Sequence, residues 1–240
     1  MSRRTDPPFE VRCGDAREEL LCVDADPSRT VIITDPVWPN APVGMFDVPD
    51  PCALFSDVAP LFPDVARRVI VQLGCDSDPR FLTVIPRSLP FVRTCWMRYL
   101  IPSHKGPILN GADVAYVFGS HEGWEREEPR RTPQTREILP GEAPEPRSQH
   151  HRDGIDWHPT PRRLEHLLWL VRMFTRREDL VIDPFCGSGT TLVAALRHGR
   201  RALGIEIHEP YARGARARCA DELRGVDAIA TQRGQQGLFP

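Results

Sequence analysis

The sequence predicts a single doubly wound α/β domain over residues 1–240, and three observations carry that reading. Short, β-branched apolar runs alternate with amphipathic stretches along most of the chain, the order expected when helices cover both faces of a mixed sheet. One segment, LVIDPFCGSGTTLVAALRHGRRALGIEI from Leu180 to Ile207, reads as strand, glycine turn, helix and strand. The composition, 40% hydrophobic and 27% charged, supplies enough apolar side chains for one large core.

In that central unit, Leu180-Val181-Ile182 has the pattern of a strand buried on both faces. Gly187 and Gly189 let the backbone turn tightly and approach a ligand closely. Ser188 and Thr190 are the expected N-caps of a helix carrying Leu192, Val193 and Leu196, and Gly199 stands where that helix should stop. Ala202 to Ile207 then resumes as a strand. Glu206, 17 residues beyond Gly189, is placed to accept two hydrogen bonds from a ribose diol, the task of an acidic residue ~20 positions downstream in nucleotide-binding folds. Two common nucleotide loops are excluded, because Leu192 stands where a dinucleotide fingerprint needs its third glycine and no Gly-Lys-Ser/Thr follows.

From the start of the chain, Val11 to Leu21 reads as a short strand ending at Gly14-Asp15 and leading into a helix. Thr30 to Asp35 is an apolar strand that runs into Pro36-Val37-Trp38-Pro39-Asn40. Two prolines around a tryptophan cannot continue a strand, so Asp35 to Asn40 should be a rigid loop at a strand's carboxyl end. Open α/β sheets place their sites there. Residues 47–63 mix loop and short helix, and Arg68 to Leu73 is a further strand. Phe91 to Leu100 and Ala112 to Phe118 read as two more, an antiparallel edge joined by a connection containing proline and glycine.

The stretch from His121 to Asp156 is polar, rich in Glu, Arg and Pro, and without a period. It reads as a solvated linker or as an insertion that recognises the target. Order returns at His158, with Thr160 as the expected N-cap and Pro161 at the first helical position. Leu164, Leu167, Leu168, Val171 and Phe174 then share one apolar face. Pro210 to Leu223 is a last helix with Tyr211, Ala215, Cys219 and Leu223 inward, and residues 225–240 form a polar tail.

The seven cysteines show no Cys-x-x-Cys pair, so neither a metal site nor a disulfide framework is expected. With no apolar run long enough to span a bilayer and no leader-like start, a cytoplasmic protein without a membrane partner is expected. A net charge of −2 means that any nucleic-acid surface must be a local patch.

The Asp183-Pro184-Phe185-Cys186-Gly187-Ser188-Gly189-Thr190-Thr191 run resembles the S-adenosylmethionine site of the amino-methylating DNA methyltransferases, which act on adenine N6 or cytosine N4. Asp35-Pro36-Val37-Trp38 is similar to their Asp/Asn/Ser-Pro-Pro-aromatic signature, departing from it at Val37. Cys13-Gly14-Asp15 resembles the turn that sets an aspartate near the cofactor's adenine, and His158-Pro159-Thr160 resembles the start of the segment over its methionine end. The usual Gln-Lys-Pro after that point is Pro161-Arg162-Arg163 here. The order of parts, Asp35 loop before Gly187 loop, is similar to the β group of the family.

This resemblance implies a Rossmann-like methyltransferase fold, S-adenosylmethionine as cofactor and double-stranded DNA as substrate. Asp35, Pro36 and Trp38 would act on the target base. An exocyclic amino nitrogen is a poor nucleophile. The Asp35 carboxylate and Pro36 carbonyl would hold its two protons and aim its lone pair, while Trp38 would offer a face to a flipped base. Asp15, His158, Pro159, Thr160, Asp183, Phe185, Gly187, Gly189, Thr190 and Glu206 would bind the cofactor. Aspartate at position 35 favours adenine N6, with cytosine N4 second and a non-catalytic DNA-binding protein of the same fold as the competing class. A homodimer is expected from the family. Gln235-Gln236-Gly237-Leu238-Phe239 resembles peptides that dock on the bacterial sliding clamp.

Overall fold

The computed structural model describes residues 7–41, 45–46, 48–105, 107–121, 143 and 155–225. Nearly all of the 121–156 segment and the tail with its Gln235–Phe239 peptide lie outside the described residues. Seven strands form one sheet: β1 (Phe9–Cys13), β2 (Thr30–Thr34), β3 (Arg68–Leu73), β4 (Phe91–Lys105), β5 (Ile108–Gly119), β6 (Leu180–Asp183) and β7 (Arg201–Glu206). Their order is β1-β7-β6-β2-β3-β5-β4. From β1 to β3 neighbours are parallel, while β5 is antiparallel to both β3 and β4.

The helices are α1 (Ala16–Glu19), α2 (Pro51–Val58), α3 (Phe62–Val65), α4 (Leu164–Phe174), α5 (Thr190–Arg197) and α6 (Glu209–Leu223). They cover both faces of the sheet, which is why its central strands are apolar without alternation. In β2, Val31 and Ile33 enter one core with Leu170 of α4, Leu192 of α5 and Ala212 of α6. Ile32, pointing the other way, packs in a second core with Phe55 of α2 and Phe62 of α3. The result is a Rossmann-like doubly wound sheet.

Local chemistry sets the helix ends. The Asp50 side chain accepts the Ala53 N–H and Pro51 opens α2. At the far end of α5, Gly199 takes a φ of 69°, as a residue just past a helix must in order to reverse the chain.

Five local expectations are corrected. Thr160 does not cap α4, because Arg163 is still extended and the helix opens only at Leu164. Pro161 disfavours helical geometry at the residue before it, and 158–163 instead runs along the cavity described below. The buried face of α4 is also wider than expected, adding His166, Trp169, Leu170 and Met173.

The N-cap of α5 is Gly189, with the Ser188 and Thr190 hydroxyls paired to each other at 3.0 Å rather than to the helix. Leu223 ends α6 exposed. Finally, β4 runs through Pro102 to Lys105, with β5 resuming at Ile108. As the outermost strand, β4 tolerates a proline, and the ladder shifts register between Arg98 and Ser103 to accommodate it.

Candidate functional site

A cavity of about 420 Å³ opens at the carboxyl ends of β1, β2, β6 and β7. The neighbours β2 and β6 run parallel, so their trailing loops, 35–38 and 184–189, emerge side by side. A hydrogen bond joins them at the root: Thr34 Oγ1 donates to Asp183 Oδ1 at 2.8 Å.

The half of the cavity beneath β6 and β7 is bounded by the Gly187 turn, Glu206 and His158. The Gly187 N–H donates to Glu206 Oε2 at 2.9 Å, and the His208 N–H donates to Glu206 Oε1 at 2.9 Å. The Ile207 N–H also acts on this carboxylate, and with about four acceptor positions on a carboxylate, capacity remains for a hydroxyl group in the cavity. Burial pushes the Glu206 carboxyl up, against the pull of the His208, Gly187 and Ile207 N–H groups. Gly187 has a φ of 49°, and a β-carbon there would stand 2.7 Å from His158 Nε2. The chain therefore approaches His158 as closely as only glycine allows. Burial lowers the His158 imidazole to about 4, with Arg218 acting in the same direction, so the ring is neutral at ordinary pH.

Asp183 is buried and its carboxyl is pushed up to about 7 by that burial, against hydrogen bonds from Thr191, Thr34 and the Phe185 N–H. Phe185, Ser188, Thr190 and Thr160 also line the cavity, as does Asp15. Pro159 is absent from the lining and is half-buried beside it. Gly189 takes a φ of 74° at the start of α5, against Ala215 of α6. Asp15 caps α1 by accepting the Arg17 N–H at 2.9 Å, and the Arg17 side chain holds its carboxyl below the ordinary value.

The other half holds Asp35, Pro36, Val37 and Trp38. Asp35 is engaged: Arg162 donates to it through both Nε and Nη2, the latter at 2.7 Å, and Trp38 Nε1 donates to Oδ1 at 3.1 Å. The Arg162 guanidinium carbon lies 4.7 Å from the centre of the Trp38 ring, covering one face. Burial raises the Asp35 carboxyl, and the Arg162 charge opposes it. Arg162 donates again through Nη1 to Asp113 Oδ2 at 2.6 Å, and the Tyr99 hydroxyl donates to Asp113 Oδ1.

The profile of the N6/N4 DNA methylases matches residues 96–217 of the chain. The chain belongs to that family. Among relatives of this methylase, YubD of Escherichia coli (strain K12) is 48% identical over 73 residues, 30% of this chain and 32% of YubD. The Type II methyltransferase M2.DpnII of Streptococcus pneumoniae is 42% identical over 65 residues, 27% of this chain and 24% of that protein. The matches thus span about a third or less of the curated relatives' length. The crystal structure of TTHA0409 from Thermus thermophilus, complexed with S-adenosyl-L-methionine, covers 90% of the methylase and 96% of its own chain, at 27% identity and a TM-score of 0.58. The cytosine-N4-specific PvuII DNA methyltransferase, at 18% identity, shares the fold with a TM-score of 0.59.

Arg162 is the methylase residue that sequence reasoning missed, along with its anchor Asp113 and with Tyr99. Its signal was an arginine two residues past Thr160, in a stretch whose pattern reads as helix. Among the described residues no cluster of His, Cys, Asp and Glu could hold a metal ion, and no helix is long and apolar enough to cross a membrane. All seven cysteines are free.

Proposed function

We propose that the chain transfers a methyl group from S-adenosylmethionine to the exocyclic N6 amino group of adenine in double-stranded DNA. One observation carries the reading: the Gly187–Glu206 cradle and the Asp35–Trp38 loop face a single cavity, on loops that leave adjacent parallel strands. When bound, S-adenosylmethionine supplies an electrophilic methyl group on a sulfonium. The cradle suits such a cofactor. Glu206 keeps acceptor capacity for a ribose hydroxyl, and Gly187 lets the backbone close against His158.

On the base side, Asp35 is the acceptor for one amino proton and the Pro36 carbonyl is the acceptor for the other. Holding both protons draws the nitrogen lone pair out of the ring's conjugation and points it at the methyl carbon. Arg162 occupies one face of Trp38, so a flipped base would use the opposite face or the ring edge. Aspartate rather than serine before Pro36 is what favours adenine over cytosine.

The test uses the chain with methyl-labelled S-adenosylmethionine and duplex DNA of mixed sequence, followed by hydrolysis and separation of the bases. Label in N6-methyladenine is the expected result. Label in N4-methylcytosine would overturn the choice of base, and cofactor binding without label in DNA would overturn methyl transfer.

A further inference from the structure

We propose that Arg162 is a positioning residue for methyl transfer: braced on Asp113 of β5, it holds the Asp35 carboxylate as an oriented acceptor for the target amino group. This rests on the assignment of Asp35 made above. Two carboxylates, one just past the end of β2 and one midway along β5, converge on one guanidinium, and three of its N–H groups are committed, two to Asp35 and one to Asp113. The side chains are sheltered, with exposures of 17% for Arg162, 20% for Asp35 and 6% for Asp113. A two-pronged contact fixes both the position and the plane of a carboxylate, which a point charge on a flexible stem does not.

The count of acceptor positions sharpens the geometry. Arg162 takes one position on each Asp35 oxygen, and Trp38 takes a second on Oδ1. With about four positions on a carboxylate, the last one lies on Oδ2. An incoming amino proton therefore meets one acceptor in a set direction instead of a freely rotating group. Misplacement by about 1 Å costs roughly 100-fold in rate, so this orientation is worth holding.

The charges matter as much as the geometry. Asp35 is faced by Arg162, by Asp113 from β5 and by Asp183 from β6, with Tyr99 of β4 behind Asp113 and the neutral His166 of α4 beside Arg162. Arg162 is the one cation in that group. Without it Asp35 keeps only the Trp38 N–H as a stabilising donor, against burial and the neighbouring Asp113 carboxyl, both of which favour protonation. A protonated Asp35 places a proton where the target's own proton must bind.

The experiment compares wild type with Arg162→Met, Arg162→Lys and Asp113→Asn. It measures cofactor affinity, KM and kcat on DNA against pH, and the Asp35 carboxyl titration by carbon-13 NMR, assigned with Asp35→Asn. Arg162→Met should lower kcat roughly 100-fold with cofactor affinity retained, and move both the acid limb of the rate profile and the Asp35 titration to higher pH. Asp113→Asn keeps the side-chain shape and removes a negative neighbour, so it should move both to lower pH. Arg162→Lys should keep the limb near that of wild type while recovering only part of kcat.

Loss of rate without a shift in either titration would mean that Arg162 is merely structural and would overturn the proposal, as would wild-type kinetics in Arg162→Met. Should Arg162→Met fail to fold, Arg162→Lys decides the matter: partial loss of kcat with cofactor affinity retained supports the proposal, and wild-type kcat overturns it. A wild-type protein that binds cofactor but methylates no DNA would overturn the proposed function instead. The NMR titration would still report whether Arg162 governs Asp35.

Discussion

The Glu206 carboxylate accepts the backbone N–H of Gly187 at 2.9 Å, so the acidic residue and the glycine turn form one unit across 19 residues of chain. Glu206→Ala removes an acceptor from the proposed cofactor site and strips the buried Gly187 N–H of its partner. A hydrogen bond to a charged group is worth about 1.5–3 kcal/mol. We therefore expect S-adenosylmethionine affinity to fall by roughly one to two decades in calorimetry. Unchanged affinity would place the cofactor elsewhere.

Gly187→Ala tests the close approach. Its β-carbon would meet His158 Nε2 at 2.7 Å from a left-handed backbone. Strain of this kind costs of order 1–3 kcal/mol. The variant should melt at lower temperature and bind cofactor more weakly. Adding His158→Ala should restore part of the stability by removing the collision, but not the part due to φ. Strict additivity of the two changes in a double-mutant cycle would show that the contact is unimportant.

Asp35→Asn separates catalysis from binding. The substitution keeps the shape but weakens the acceptor, so methyl transfer should fall by about 10²–10³. Cofactor affinity should stay near wild type, because Asp35 is engaged by Arg162 and Trp38 rather than by the Gly187 cradle. Near-normal turnover would remove Asp35 from the chemistry.

The pH dependence of stability should show two opposed contributions. Burial lowers both His158 and His166 to about 4, whereas in the unfolded chain each takes up a proton near ~6.5. Between those values the unfolded state binds more protons, so stability falls as pH drops from about 6.5 to about 4. Asp183 works in the opposite direction: raised to about 7 in the fold and ~3.9 when unfolded, it makes the folded state bind the extra proton over much of the same window. Asp183→Asn deletes that compensation. Urea midpoints of the variant should fall more steeply with acidification than those of wild type, by up to about 1.4 kcal/mol per pH unit. Parallel curves would contradict the buried, protonated state of Asp183.

Much of the fold was legible because its central strands are buried on two faces and so read as unbroken apolar runs, β2 and β6 being the clearest. The Gly187 turn and Glu206 were legible because their spacing is local to one strand-helix-strand unit. Arg162 was not, since its reach depends on 158–163 staying outside the helix where proline and threonine suggest a helix start. Asp113 lies within a strand that the sequence predicts as part of an antiparallel edge, with nothing local to single it out. Its burial at 4% exposure comes from what lies across the sheet, which no local pattern records. Ala143 makes the same point. In a segment read as solvated, it is buried and donates its N–H to the Trp96 carbonyl at 2.9 Å.

The hydrogen bond from Thr34 to Asp183 turns the sheet into a ruler. Under the proposed function, one reactant is held by the loop after β2 and the other by the loop after β6. Their separation is then referred to the ~4.8 Å spacing of neighbouring strands rather than to flexible loop ends. Segments that rise around the cavity can be lengthened, shortened or exchanged without resetting that distance. Under that same reading, whatever part of the chain chooses a DNA sequence would be mechanically insulated from the part that moves a methyl group, and a changed recognition segment would inherit a working gap between donor and acceptor.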